Sequence, residues 1–386
     1  MLLGSALFVI SSVGSGYAFS VPDLMLWRVI GGLGIGIASV IAPTYISEIA
    51  PARYRGALAS LQQLAITIGI FAALLSDAVL QNAAGGPSND LWWGLEAWRW
   101  MFLVGVIPAL VYGILALLIP ESPRFLVGKN LDREAAQILA NITGELRPNE
   151  RVHEIRLTLR HESTRSFGDI RGPRFGLQPL VWVGIIMAIF QQFVGINAIF
   201  YYSTTLWKSV GFSENQSFTT SVITSVINVG MTFVAILFVD RIGRRILLMI
   251  GSIGMFVSLL LAAVAFSQAV GEGENVELPS PWGAVALVGA NLFVVFFAAT
   301  WGGPIMWVML GEMFPPNRMR AVALGLSTAA NWLANFTVTL AFPPLTSTVG
   351  LWFLYSLFAF FALLSFFFVR AKIPETKGME LEDMHA

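Results

Sequence analysis

Ten stretches of this sequence run for about 18 residues or more with almost no charge, and a chain written that way has few folds open to it. They lie near 1–19, 24–47, 55–80, 98–119, 177–206, 217–239, 246–268, 281–313, 321–343 and 349–370. Each is long enough as a helix to cross a bilayer, and lipid leaves only helices and closed barrels to satisfy the backbone. Uninterrupted apolar runs, rather than alternating ones, predict helices, so the expected class is an all-α polytopic membrane protein. Only 12% of residues are charged, about half the soluble norm of ~25%. Residues 1–19 have no basic leader and are longer than a signal peptide's apolar core, so they read as a span.

The same composition removes several function classes. There is no cysteine, hence no disulfide and no thiolate metal site. His153, His161 and His385 all fall in polar segments. The runs hold no paired carboxylates, no histidine cluster and no nucleophile beside a base, so an enzyme is not expected. A net charge of zero gives no pull toward nucleic acid.

Ten spans return the chain to its starting side after every second one. The loops on that side (near 48–55, 120–176, 240–245, 314–320 and the tail) hold 20 of the 23 Lys and Arg, counting Arg370 at the edge of the last span. The positive-inside rule then places these loops and the C-terminus in the cytoplasm. The long basic segment divides the spans four and six. It predicts an N-terminal lobe over 1–120, a cytoplasmic helical linker over 121–176, a C-terminal lobe over 177–370 and a tail over 371–386. Within the linker, Asp132–Ala140 and Glu150–Leu159 read as charged helices.

A faint repeat links the halves. Glu48-Ile49-Ala50-Pro51-Ala52-Arg53-Tyr54-Arg55 echoes Glu312-Met313-Phe314-Pro315-Pro316-Asn317-Arg318-Met319-Arg320, and Pro120-Glu121-Ser122-Pro123-Arg124 echoes Pro374-Glu375-Thr376-Lys377-Gly378. The echoing loop follows two spans in the first half and four in the second. A six-plus-six design short of its first two spans accounts for that offset.

Polar chemistry concentrates in Phe190-Gln191-Gln192-Phe193-Val194-Gly195-Ile196-Asn197-Ala198-Ile199-Phe200-Tyr201-Tyr202, inside the fifth span. Polar groups at membrane depth need a packed interior or a wet cavity. Gln and Asn each donate and accept without net charge, which suits a neutral polyhydroxy solute; equally, such amides can tie helices together. Gly195 predicts a bend. Gln62, Gln63, Asn228, Asn291, Asn331 and Asn335 lie in other spans, Trp301-Gly302-Gly303-Pro304 breaks the eighth, and Trp307 and Trp332 follow. An indole face packs on a sugar's C–H face and its N–H reaches a hydroxyl. Arg28, which opens the second span just before Gly31, Gly32, Gly34 and Gly36, calls for a partner or water. The acid–base pairs Glu48 with Arg55, Asp240 with Arg241, Arg244 or Arg245, and Glu312 with Arg318 or Arg320 read either as latches of an access cycle or as interfacial anchors.

With these motifs in order, the chain resembles the sugar porters of the major facilitator superfamily. The motifs are Arg28 with its glycines, Glu48 to Gly56, Pro120 to Arg124, Gln191 to Asn197, Asp240 to Arg245, Gly303 to Trp307 and Pro374 to Gly378. The resemblance implies twelve helices, two of them preceding Met1, and sugar contacts at Gln63, Gln191, Gln192, Asn197, Tyr201, Asn228, Trp307, Asn331 and Trp332. It assigns coupling and gating to Arg28, Glu48, Arg55, Asp240, Arg244, Glu312 and Arg320. In proton-coupled relatives a first-helix acid partners the arginine at Arg28; that acid would lie before Met1. The expected function is alternating-access transport of a hexose or pentose in the cell membrane. Proton symport is expected first, with facilitated diffusion or sugar sensing as alternatives. The expected ligands are a monosaccharide and a coupling proton, with no other cofactor and no metal, and the expected state is a monomer.

Overall fold

The structure, a computed structural model, describes all residues except 50–54, 143, 145–146, 163–175, 210, 271–276, 303, 315–317 and 376–386. Some helical side chains also fall outside the described set, among them Gln62 and the expected latch residues Glu48, Arg55, Asp240, Glu312, Arg318 and Arg320. The chain divides into two compact units, Met1–Gln62 with Ala72–Thr164, and Gln63–Phe71 with Arg165–Ala386.

The first unit holds α1 (Leu2–Gly16), α2 (Val21–Ile49) and most of α3 (Arg55–Ala84). A two-stranded hairpin follows, β1 (Asp90–Trp92) with β2 (Leu95–Glu96), then α4 (Ala97–Leu103) and α5 (Val106–Leu118). Close packing here uses small residues. A Cβ on Gly31 would lie 2.5 Å from Ser11 Oγ and one on Gly113 2.5 Å from Ser5 Oγ, so α1 seats directly on α2 and α5. Of the glycines beside Arg28, Gly31 and Gly34 meet α1, whereas Gly32 and Gly36 face open space. Three short helices follow: α6 (Pro123–Gly128), α7 (Asp132–Asn141) and α8 (Pro148–Glu162). Pro123 opens α6 with its fixed φ and Ser122 Oγ accepts from the Phe125 N–H, a regular N-cap. Leu126, Val127, Ala135, Leu139 and Val152 form a separate small core, and an Arg156–Asp132 ion pair ties α8 to α7.

The second unit starts with one apolar run folded as three helices, α9 (Pro179–Phe193), α10 (Ile196–Tyr201) and α11 (Ser203–Lys208). Next come α12 (Glu214–Ile242) and α13 (Arg244–Phe266). Beyond them α14 (Trp282–Phe296) passes through a π-helical turn, Phe297–Trp301, into α15 (Pro304–Met313), followed by α16 (Arg318–Thr348) and α17 (Leu351–Lys372). Ser213 and Gln216 close a reciprocal capping box at the start of α12. Its core runs through α13, α14 and α17 on Leu248, Met255, Leu259, Phe293 and Tyr355, all fully buried. Ser252 and Ser365 hydrogen-bond across α13 and α17 at 2.8 Å.

Among the described residues, eight segments are helical, long and apolar enough to cross a membrane, against the ten spans expected. The two that fall short are α1, at 15 residues, and α16, which is long but carries Asn331, Asn335 and several threonines. Outward apolar side chains such as Leu117, Leu237 and Val257 are more than half exposed, an arrangement suited to lipid rather than water.

Candidate functional site

The amides of the fifth span do not scatter; they interlock. Gly195 stops α9 by taking φ +87°, a left-handed conformation that costs a side chain about 1–2 kcal/mol. The chain then restarts as α10, which brings Asn197 back against Gln192: Asn197 Nδ2 donates to Gln192 Oε1 at 2.8 Å. Gln192 Nε2 donates both ways, to Gln191 Oε1 at 3.3 Å and to Asn331 Oδ1 at 3.1 Å. Asn331, from α16, returns its own N–H groups to Gln191 Oε1 at 2.6 Å and to the Ala188 carbonyl at 3.0 Å. Gln191, Gln192 and Asn331 are all buried. Four uncharged side chains from three helices thus form one network with Gln192 at its hub.

The broken eighth span supplies the next layer. A π turn and Pro304 interrupt the i→i−4 ladder, so carbonyls there are open to other donors. Gln191 Nε2 donates to the Trp301 carbonyl at 3.2 Å, and Gln63 Nε2 donates to the adjacent Gly302 carbonyl at 2.8 Å. The Trp301 indole is fully buried and its N–H points to Leu248 O at 3.1 Å and Ser252 Oγ at 3.0 Å on α13. That anchor fixes the break, and with it the carbonyls that receive the amides.

Of the nine sugar contacts expected, five are therefore brought together: Gln63, Gln191, Gln192, Asn197 and Asn331. Asn228 is buried on α12, which packs along the π turn, and Trp307 is half-buried against the core of its own unit. Tyr201 and Trp332 are exposed, at 59% and 44%. Asn291 belongs elsewhere: its Oδ1 accepts from Thr224 and its Nδ2 donates to Leu287 O, a helix-to-helix tie. Asn335 accepts from Thr339, one turn along α16. Sequence reasoning passes over the Tyr202 hydroxyl, which donates to Thr339 O at 3.2 Å while its ring stacks on Phe342. The only signal for it was the aromatic crowding after Asn197.

Arg28 is exposed, and its guanidinium lies 5.5 Å from the centre of the Phe102 ring, a cation–π contact within its own unit. Arg244 and Arg245 open α13, and their backbone N–H groups are capped by the two oxygens of Glu375, at 3.0 and 3.1 Å. A carboxylate at a helix N-terminus is favoured by both the orphan donors and the macrodipole. Gly243 makes the approach possible, because a Cβ there would sit 2.8 Å from Glu375 Oε2. Among the described residues, no group of three or more His, Asp or Glu gathers to hold a metal ion.

The family profile "Sugar (and other) transporter" matches residues 1–386. A glucose transport protein of Synechocystis is 49% identical over 385 residues, covering 100% of this chain and 82% of that protein. An arabinose-proton symporter of Bacillus subtilis is 36% identical, covering 100% and 79%. The solved structure of the major facilitator proton:xylose symporter XylE bound to 6-bromo-6-deoxy-D-glucose superposes at a TM-score of 0.78 with 34% identity, covering 99% of this chain and 81% of that one.

Proposed function

The chain belongs to the sugar (and other) transporter family and has the major facilitator fold, and from that premise we propose that it moves a neutral monosaccharide across the membrane by alternating access, coupled to a proton. The observation that carries the reading is the network of buried Gln191, Gln192 and Asn331 with half-buried Asn197, which is polar and uncharged. Each sugar hydroxyl both donates and accepts, and so does each carboxamide. Sugar entering here exchanges water for amide hydrogen bonds of the same kind, with no counter-ion to bring along. Gln63, Tyr201, Asn228, Trp307 and Trp332 complete the proposed contact set. Bound sugar shifts the access equilibrium only through unequal affinity for the two states.

Proton coupling is supported by the relatives named as proton symporters. We assign Arg28 to the coupling apparatus, and Glu48, Arg55, Asp240, Arg244, Glu312 and Arg320 to gating. We propose a cytoplasmic C-terminus, a reading that the basic loops support, and a monomeric working unit. Uptake of labelled glucose or xylose into proteoliposomes tests the reading. With an inward proton gradient, sugar accumulates above the outside concentration, and an uncoupler abolishes the excess. Uptake that only equilibrates, gradient or not, reassigns the protein to facilitated diffusion. Sugar binding with no uptake makes it a sensor.

A further inference from the structure

Outside the amide network, the second unit carries a groove of about 850 Å³ between α13, α14 and α17. Its floor on α13 is a stripe spaced by four residues: Arg245, Met249, Ile253 and Val257. Opposite, α17 contributes Phe366 and Arg370, again four apart, and α14 contributes Phe296. Gly254 shapes the wall, because a Cβ there would meet the Phe296 ring at 2.2 Å. Arg245 near the start of α13 and Arg370 near the end of α17 thus lie at the same end of the groove, with apolar side chains beyond them. Ile253 and Val257 are open to the outside, at 39% and 57% exposure.

The dimensions match one leaflet. Twelve residues separate Arg245 from Val257, about 18 Å of helix, against roughly 15 Å for half of a ~30 Å hydrocarbon core. The charge at this end is net positive. The sequence flanking it holds Arg241, Arg244, Arg245, Arg370 and Lys372 against Asp240 and Glu375, and Glu375 is engaged by the start of α13. Arg245 Nη2 donates to the Arg370 carbonyl at 2.7 Å, which places the Arg245 guanidinium beside the last turn of α17. Its Nε is buried without a hydrogen-bond partner. A donor held that way at the mouth of an apolar groove calls for an acceptor from the groove's occupant.

We propose that this groove binds one anionic glycerophospholipid, with its phosphate between Arg245 and Arg370 and an acyl chain along Met249, Ile253 and Val257. Basic pockets between membrane helices recognise anionic headgroups by this combination of charge and apolar depth. A free phosphate would leave the apolar stripe unused, and an apolar peptide would leave the arginines unpaired.

The test needs no sugar. Purified protein, stripped of lipid by detergent washing, is incubated with phosphatidylglycerol and phosphatidylcholine of identical chains, and native mass spectrometry counts what stays bound. Two arginines at a lipid phosphate predict a preference for phosphatidylglycerol of roughly 30-fold. In Arg245→Gln/Arg370→Gln the preference falls to about even, whereas Ile253→Trp, which fills the groove and keeps both arginines, lowers retention of both lipids. Equal retention of the two lipids by the unaltered protein overturns the proposal without recourse to any variant. So does a preference that survives in Arg245→Gln/Arg370→Gln, or phosphatidylglycerol that excess inorganic phosphate strips equally at every chain length.

Discussion

Gly195→Ala lowers the stability of the second unit by about 2–5 kcal/mol, the sum of a left-handed backbone cost of ~1–2 and an overpacking cost of ~1–3. The residue sits at φ +87°, and a Cβ there would lie 2.4 Å from two carbons of the Phe358 ring. Phe358 is itself buried, so the ring has little room to give. Thermal unfolding in detergent measures the loss. Adding Phe358→Leu to Gly195→Ala recovers the steric part and leaves the backbone part, the coupling expected of two residues in contact. The effect reaches function because Gly195 is the joint that returns Asn197 to Gln192. A midpoint unchanged by Gly195→Ala removes that joint from the account.

Gln192→Ala weakens monosaccharide binding by roughly 10- to 100-fold, on a cost of ~1–3 kcal/mol for buried partners left unpaired and 1.4 kcal/mol per decade. Its carboxamide touches Gln191, Asn331 and Asn197 at once, so its loss empties the centre of the network. The control is Asn291→Leu. Asn291 is also an intramembrane amide, but its bonds close on Thr224 and Leu287. It ties helices together, so its removal changes stability and leaves sugar affinity within about twofold. Equilibrium binding on both variants separates a pocket amide from a structural one. Equal losses in the two would mean that Gln192 also acts only as helix glue.

Much of this was legible because a bilayer permits so few backbone solutions. Apolar length alone located the spans, and Gly195 and Pro304 announced their two breaks through backbone chemistry. The second interruption of the fifth span, at Tyr202, carries no Gly or Pro and so left no local mark. The π turn starts at Phe297, well upstream of Pro304, and is set by packing: a Cβ on Gly302 would fall on the Phe297 ring. Partner choice was the least legible feature. Gln191 and Asn331 are 140 residues apart, and nothing in their spacing distinguishes them from Asn291. Arg28 called for a partner, and its partner is the face of an aromatic ring, a contact that charge counting does not find. Among the described residues, eight of the ten expected spans are helical, long and apolar enough to cross a membrane; α16 has the length, at 31 residues, but mixes amides and threonines into its apolar run.

The claim beneath all of this is that the site recognises hydroxyl groups without charge. Calorimetric titration of the protein with glucose or xylose, set beside gluconate and glucosamine, tests it most directly. The account predicts saturable binding of the neutral sugars and at least tenfold weaker binding of both charged analogues, since neither finds a counter-ion among the amides and each pays for desolvation. Binding of either charged analogue as tightly as its neutral counterpart, or no binding of any neutral monosaccharide by folded protein, would contradict it.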